Sequence, residues 1–211
     1  QWLKKQAKEK ALKEQWVSMT SYERLARNKG FRLIAGVDEV GRGPLAGPVV
    51  ASAVILPEEC EILGLTDSKK LSEKKREEYY ELIMKEALAV GEASVIDEIN
   101  IYEASKMAMM KAIHDMSETP DYLLIDAMTL PLDTAQSSII KGDAKSVSIA
   151  AGACIAKVTR DRMMSAYAKT YPMYGFEKNK GYGTKEHLEA LAAYGPTELH
   201  RKTFAPVQTF R

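Results

Sequence analysis

The stretch Leu33-Ile34-Ala35-Gly36-Val37-Asp38-Glu39-Val40-Gly41-Arg42-Gly43-Pro44-Leu45-Ala46-Gly47-Pro48-Val49-Val50-Ala51-Ser52-Ala53-Val54-Ile55-Leu56 reads as two strands around a turn. Phe31 to Val40 is a strand-like run that stops at the first loop glycine; Val49 to Leu56 is apolar and β-branched and is closed by Pro57. The loop between them is not a dinucleotide fingerprint, because a strand follows where a helix should. Nor is it a P-loop, because no Gly-Lys-Ser/Thr closes it. Glycines flanking Arg42 let the backbone approach a ligand closely while the guanidinium offers charge and a fork of donors, which suits a sugar–phosphate backbone. A tight turn is the alternative reading.

Outward from this pair, Ser72 caps a charged helix running through Ala87, and Ala93 to Ile96 is a third strand candidate. Asn100 and Glu103 have capping-box spacing for a helix reaching about Met116. Tyr122-Leu123-Leu124-Ile125-Asp126 is a short apolar run of the kind covered on both faces of a sheet. Val147 to about Lys169 reads as a long helix whose early half is small residues, suited to close packing on a sheet. Residues 171–184 read as loop, and Thr184 caps a helix ending at Gly195. Alternation of helices and strands makes the class α/β or α+β. Upstream, residues 1–17 read as an amphipathic helix with Leu3, Ala7, Ala11 and Leu12 on one side. Thr20 and Glu23 have capping-box spacing for a second short helix ended by Gly30. This segment reads as an arm outside the main core.

Composition is that of a globular protein, with 45% hydrophobic and 28% charged residues. No apolar run approaches the ~18 residues of a membrane span, and no secretory signal pattern opens the chain, so a cytoplasmic protein without membrane association is expected. The chain opens on Gln1, and further residues upstream are expected. Cys60 and Cys154 form no CxxC pair and read as packing in a reduced compartment. The net charge of +1 hides an asymmetry: residues 1–30 carry eight Lys or Arg against three Glu, a surplus of +5, and the remainder carries −4. A basic arm suggests attraction to a polyanion; a solvated helix face is the other reading.

Acidic residues sit where apolar runs end. Asp38 and Glu39 follow Leu33–Val37, Asp126 follows Tyr122–Ile125, and Asp143 lies in Lys141-Gly142-Asp143-Ala144-Lys145 before the long helix. A carboxylate after an apolar run is costly to desolvate unless paired, coordinated or exposed. Taken singly, each reads as a strand-end or cap residue. Converging, they would need a cation, and oxygen-only ligands favour a hard ion. Adjacent strand residues point to opposite faces, so Asp38 and Glu39 share one site only if the strand ends or bulges there. His114, His187 and His200 have no metal-ligand spacing and read as surface or packing residues, as do Tyr79-Tyr80 and Met107-Ala108-Met109-Met110.

Gly36-Val37-Asp38-Glu39-Val40-Gly41-Arg42-Gly43-Pro44-Leu45-Ala46-Gly47-Pro48 resembles the signature of ribonuclease HII. Later elements agree in order: Asp67-Ser68-Lys69-Lys70-Leu71, Ile125-Asp126, Lys141-Gly142-Asp143, Ala150-Ala151-Gly152 through Ala156-Lys157-Val158-Thr159-Arg160-Asp161, Gly181-Tyr182-Gly183-Thr184 and His200-Arg201-Lys202-Thr203-Phe204. The resemblance covers about residues 31–207, and Arg42 between the loop glycines distinguishes it from the sister type, ribonuclease HIII. It implies a ribonuclease H-like fold: a five-stranded mixed sheet flanked by helices over residues 31–170, then a small helical C-terminal region over 171–211. The basic helical arm over 1–30, read from the residues, matches no motif of the family, and its role stays open. The resemblance implies an endonuclease that cuts RNA in RNA/DNA hybrids and cuts 5′ of single ribonucleotides in duplex DNA, leaving 3′-hydroxyl and 5′-phosphate ends. Asp38, Glu39, Asp126 and Asp143 are the implied catalytic, metal-binding acids, with two divalent ions, Mn²⁺ or Mg²⁺, as cofactors. Gly41, Arg42 and Gly43 would read the ribose 2′-hydroxyl and nearby phosphate, and Tyr182 would pack against the neighbouring deoxyribose. Ser68, Lys69, Lys145 and Lys180 are further candidate substrate contacts, the lysines as point charges on phosphates. A non-catalytic nucleic-acid-binding module is the rival reading; it would require an incomplete acidic set. A phosphate-binding metabolic enzyme is disfavoured by the missing nucleotide motifs. Nothing in the sequence requires more than a monomer or names a protein partner.

Overall fold

The computed structural model describes residues 2–95 and 100–210. Among these, five strands form one mixed sheet: β1 (Ile34–Val40), β2 (Val49–Ile55), β3 (Ala89–Val95), β4 (Tyr122–Asp126) and β5 (Ala135–Ile139), in the order β3-β2-β1-β4-β5. The loop after β1 returns the chain antiparallel as β2, and β3 adds antiparallel beyond it. On the other side β4 pairs parallel with β1 and β5 parallel with β4; the long connection from β1 to β4 carries α3 and α4, whereas residues 127–134, between β4 and β5, hold no helix. The third strand starts earlier than its apolar residues alone indicate, and Ile96, its expected last residue, lies outside the described residues. Strand β5, Ala-Gln-Ser-Ser-Ile, is not foreshadowed by an apolar run, because an edge strand of small polar residues lacks the pattern that marks buried strands.

The helices are α1 (Trp2–Met19), α2 (Ser21–Asn28), α3 (Glu73–Glu86), α4 (Ile101–His114), α5 (Val147–Thr170), α6 (Phe176–Asn179), α7 (Lys185–Tyr194) and α8 (Ala205–Gln208). Caps read from the sequence are made for α3, α4 and α7: Ser72, Asn100 and Thr184 accept from the backbone N–H groups of Lys75, Glu103 and His187. Residues 171–184, expected as loop, hold a 3₁₀ turn at Pro172–Tyr174 and α6, each too short to show periodicity.

Helix α4 covers one sheet face, where Met109 and Ala112 pack with Ala35, Val37, Ala51, Leu123 and Ile125. The opposite face receives α5 and α3, with Ala150, Ala151, Cys154 and Ile155 against Val54, Tyr79 and Ile83. Close approach of α5 depends on two glycines. A Cβ on Gly36 of β1 would fall 1.9 Å from the Ser148 carbonyl carbon, and one on Gly152 would fall 3.1 Å from the Gly36 oxygen. The start of α5 is thereby pressed onto β1 next to Asp38. A third cluster of Tyr174, Phe176, Leu191, Leu199 and Val207 joins the C-terminal helices to Leu45 and Met164.

The N-terminal segment is helical, as expected, but its second half belongs to the core. Trp16 and Met19 are buried against Leu56, Ile62 and Val147, and Ala26 against Ile34 and Tyr122. The expected capping box at Thr20 and Glu23 does not form: Thr20 bonds back to the Val17 carbonyl, and Glu23 turns into the core. Of the face drawn through Leu3, Ala7, Ala11 and Leu12, only Leu12 is partly covered. Among the described residues no helix is long and apolar enough to cross a membrane.

Candidate active site

Strand β1 runs past the end of β4. Its pairing with β4 stops at Val37 and Ile125, while its pairing with β2 continues without a break through Asp38–Ser52, Glu39–Ala51 and Val40–Val50. Of the two alternatives, a strand that ends or one that bulges, the register with β2 shows no bulge at Asp38 and Glu39. Asp38 and Glu39 reach one cleft because β1 there has an open edge, around which a long side chain can turn. The cleft, of about 120 Å³, is lined by both acids and by Ser68, Lys69, Asp143, Lys157 and Tyr182 among others. Asp126, the last residue of β4, does not line it but lies close enough for its charge to act on Asp38, Glu39 and Asp143.

Burial governs the electrostatics. Desolvation pushes the Asp38 carboxyl well above the ordinary range, and the charges of Glu39, Asp126 and Asp143 add to the shift. Glu39 is also raised by burial, with Asp126 adding and the Arg42 guanidinium, 3.6 Å away, opposing. Asp143 is raised by burial, then by Asp67 and Asp126, with Lys69 opposing. Two hydrogen bonds fix carboxylates: Asp38 Oδ1 accepts from Glu39 N at 2.7 Å, and Asp126 Oδ1 from Gly142 N at 2.6 Å. Glu39 Oε2 is buried with no hydrogen-bond partner. Among the described residues no three Asp, Glu, His or Cys side chains converge on one point. Bringing two such carboxylates to 4 Å would cost ~4 kcal/mol at an effective dielectric of 20, so gathering the set needs a cation. The donor set is all oxygen, highly charged and partly orphaned, which fits a hard divalent cation once the side chains draw together.

The loop between β1 and β2 is held from behind by two arginines, each about 1% exposed. Arg201 donates to the carbonyls of Gly41, Arg42 and Gly47. Arg160 donates to Pro48 at 2.9 Å and Ala46 at 3.1 Å, and also to Lys180 at 2.8 Å. These clamps capture the loop carbonyls in the interior. The loop also binds the 181–183 segment directly: Leu45 N donates to the Gly181 carbonyl at 2.8 Å, and a Cβ on Gly43 would lie 3.5 Å from Tyr182 Cε1. Tyr182 is 46% exposed beside the glycine loop.

The structure thus gathers Asp38, Glu39, Asp126, Asp143, Ser68, Lys69 and Tyr182 around one cleft, with Arg42 attached through Glu39. Ser68 and Lys69 sit on a 3₁₀ turn capped by Asp67. Lys145 is exposed just beyond Asp143. Lys180 is directed elsewhere: its Nζ lies 3.0 Å from Ser165 Oγ and lines an adjacent groove with Arg162 and Lys169. Asp67, Lys157, Arg160 and Arg201 stand in the quoted motifs, but nothing in the sequence assigns any of them a role at the site. A charged residue inside the 3.6-residue pattern of α5 reads as surface, and its burial against loop carbonyls from another segment has no local signal.

Comparison with known proteins bears on the family and the fold. The family model described as Ribonuclease HII matches residues 35–207. Ribonuclease HII of Bacillus subtilis (strain 168) is 94% identical over 215 residues, covering all of this chain and 84% of the relative. That of Enterococcus faecalis (strain ATCC 700802 / V583) is 59% identical over 213 residues, covering 99% and 83%. Ribonuclease H2 from Pyrococcus horikoshii OT3 superposes with a TM-score of 0.72 at 24% identity, over 85% of this chain and 97% of that one, a likeness of fold. Sequence motifs, sheet order and relatives agree: the chain belongs to the ribonuclease HII family and is an endoribonuclease of the ribonuclease H type.

Proposed function

We propose that this chain hydrolyses RNA paired to DNA and cuts 5′ of a single ribonucleotide embedded in duplex DNA, leaving 3′-hydroxyl and 5′-phosphate ends. The observation that carries the reading is the junction of two surfaces in one cleft. Asp38, Glu39 and Asp143 line it with Tyr182, and Tyr182 stands over Gly43 of the glycine loop. Acids and sugar-reading elements are therefore in reach of one phosphodiester.

Asp38, Glu39, Asp126 and Asp143 would hold two divalent ions, Mn²⁺ or Mg²⁺; a ribonuclease HIII related in fold, at 17% identity and a TM-score of 0.67, is known in complex with Mn²⁺. Such ions supply positive charge beside the scissile phosphate and acidify water there. The chain's own residues do the rest. Arg201 and Arg160 hold the loop carbonyls inward, so that Gly41, Arg42 and Gly43 approach the ribose 2′-hydroxyl and its phosphate. Only RNA carries that hydroxyl, so this contact discriminates. Arg42, drawn to Glu39, supplies a guanidinium to the phosphate; Lys69 adds a point charge in the cleft. Tyr182 offers an exposed ring to the deoxyribose that follows the ribonucleotide. Among the described residues no imidazole lines the cleft, and the reading requires no histidine base.

The test is cleavage of an end-labelled duplex carrying one ribonucleotide, with Mn²⁺ or Mg²⁺ added to metal-stripped protein. A single cut 5′ of the ribonucleotide, ligatable only through its 5′-phosphate, is expected. Cleavage of hybrid alone, or binding without cleavage, would overturn it.

A further inference from the structure

Two buried histidines, unused by the chemistry above, lie directly behind Tyr182. His187 Nδ1 is 2.8 Å from the Tyr182 carbonyl, which also accepts from Thr184 N. His187 Nε2 is 2.9 Å from His200 Nε2, and His200 Nδ1 is 2.9 Å from both the backbone N and the hydroxyl of Thr197. These partners leave one assignment of protons. A carbonyl only accepts, so His187 carries hydrogen on Nδ1 and a bare Nε2. A backbone N–H only donates, so His200 has a bare Nδ1 and donates from Nε2 to His187. The wire runs from Thr197 through both rings to the Tyr182 carbonyl, with both imidazoles neutral.

We propose that this His200–His187 wire sets the position of the Tyr182 ring over the cleft, so that both histidines are positioning residues for recognition of the RNA–DNA junction. The inference rests on the role given to Tyr182 above. Tyr182 lies between two glycines. On the Gly181 side the backbone is tied to Asn179 and to the glycine loop, Tyr182 N donating to the Asn179 carbonyl at 2.9 Å. On the Gly183 side a Cβ would meet only the Leu45 side chain, so the Tyr182 carbonyl, which faces His187, is where that side is fixed. The wire anchors that carbonyl to the turn that leads to Arg201, the clamp of the glycine loop. An added proton breaks the wire at either ring. On His187 it occupies the atom that accepts from His200; on His200 it displaces the Thr197 N–H. The surroundings oppose protonation. Tyr174 and Phe176 pack against both rings, at 4.9 and 5.8 Å from His200 and 6.2 and 5.5 Å from His187. The guanidinium of Arg201 is turned to the glycine loop, and Glu198 bonds the Tyr171 hydroxyl. Glu177 and Lys178 of α6, and Lys185, Glu186 and Glu189 of α7, are exposed. Among the described residues no carboxylate is a hydrogen-bond partner of either ring. Burial accordingly lowers the pKa of His187, and pushes that of His200 down to about 4 with His187 contributing.

The experiment is a double-mutant cycle on a duplex with one ribonucleotide, using the parent, Tyr182→Ala, His187→Gln and the pair. Tyr182→Ala should lower kcat by roughly tenfold to a hundredfold, the scale of a misplaced reactive centre. His187→Gln, which loses the donor to the carbonyl, should lose roughly fivefold or more in kcat and add nothing in the Tyr182→Ala background. His187→Asn, whose amide can donate from the Nδ1 position, should recover most of the loss while melting like His187→Gln. A second measurement needs no histidine variant: the ratio of parent to Tyr182→Ala rates, taken at each pH, cancels the titration of the chemistry itself. It should stay level between about pH 8 and about pH 5 and fall toward one only as the pH approaches about 4, where the wire is protonated. Losses that multiply in the double variant, or a ratio independent of pH, would overturn the wire while leaving Tyr182 in its role. Parental activity of Tyr182→Ala would remove the role itself, and the wire's function with it.

Discussion

Glu23 of α2 accepts a hydrogen bond at 2.5 Å from the hydroxyl of Ser146, the residue that caps α5. The same oxygen accepts from Ser148 N at 3.0 Å, and the other, Oε2, is buried without a partner. A side chain from the N-terminal segment thus neutralises donors at the start of the helix that follows Asp143, where the helix dipole favours negative charge. Glu23→Ala should lose about 1–3 kcal/mol, the cost of leaving buried donors unmade. Glu23→Gln, which keeps an acceptor, should lose less. Urea unfolding at constant m-value measures both, and a parental midpoint for the alanine variant would assign Glu23 no share in stability.

Burial of Trp16, Met19, Glu23 and Ala26 dictates how the basic arm is to be tested. Removing residues 1–30 would strip the core. Removing residues 1–13 takes five lysines and one glutamate from an exposed stretch and leaves the packing in place. If those lysines meet phosphates, the slope of log K against log salt should become shallower by about 0.9 for each phosphate no longer neutralised, with the cleaved bond unchanged. An identical slope would return them to solvent.

Asp126→Asn separates charge from shape. Asparagine keeps an oxygen for the Gly142 N–H but removes one of the charges that raise Asp38, Glu39 and Asp143. The variant should melt at the parental temperature or above it without added metal, and its kcat should fall by roughly a thousandfold, as when one charged contributor at a transition state is removed. Near-parental turnover at saturating Mg²⁺ would take Asp126 out of the site.

Much of this site was legible because it lies at strand ends. The run before Asp38 and Glu39 and the run before Asp126 mark two neighbouring parallel strands, whose carboxyl ends must face the same way. What β1 does next was not legible. Whether Asp38 and Glu39 share a cleft depends on where β4 stops, a fact about another segment. The same holds for Arg160 and Arg201, whose partners lie 112 to 114 and 154 to 160 residues away for the loop carbonyls. The histidine pair is separated by 13 residues with no motif to join them. Edge strand β5, made of small polar residues, carries no pattern that marks a buried strand.

The histidine wire also has a signature in stability. Both pKa values lie below the ordinary ~6.5, so protons bind the unfolded chain first. Their contribution is complete above about pH 6.5 and is lost as the pH falls toward about 4, below which both states are protonated. The urea midpoint of the parent should therefore drop between about pH 7.5 and about pH 5, and that of His200→Gln should drop less. Equal pH dependence in the two proteins would show that the imidazoles are not held neutral.

Gly41 and Gly43 occupy one loop but answer to different constraints, and alanine at each separates folding from recognition. Gly41 has φ +93°, and a Cβ there would lie 2.2 Å from Arg160 Nε and 2.8 Å from the Pro48 carbonyl. Gly41→Ala should cost about 3 kcal/mol or more, through backbone strain and displacement of a buried clamp. Gly43 has no positive φ, and the nearest atom to its Cβ, Tyr182 Cε1 at 3.5 Å, is at ordinary contact distance. Gly43→Ala should therefore melt within about 0.5 kcal/mol of the parent, as an exposed change without strain does. The added methyl nevertheless sits beside the Tyr182 ring, on the surface across which the ribose is read. There it should lower kcat/KM on a single embedded ribonucleotide by about tenfold or more, equivalent to about 1.4 kcal/mol of lost transition-state binding. Thermal melts and kinetics on both variants give the comparison. If Gly43→Ala retains parental kcat/KM, the loop does not come within reach of the sugar, and Gly43 is there only for the turn.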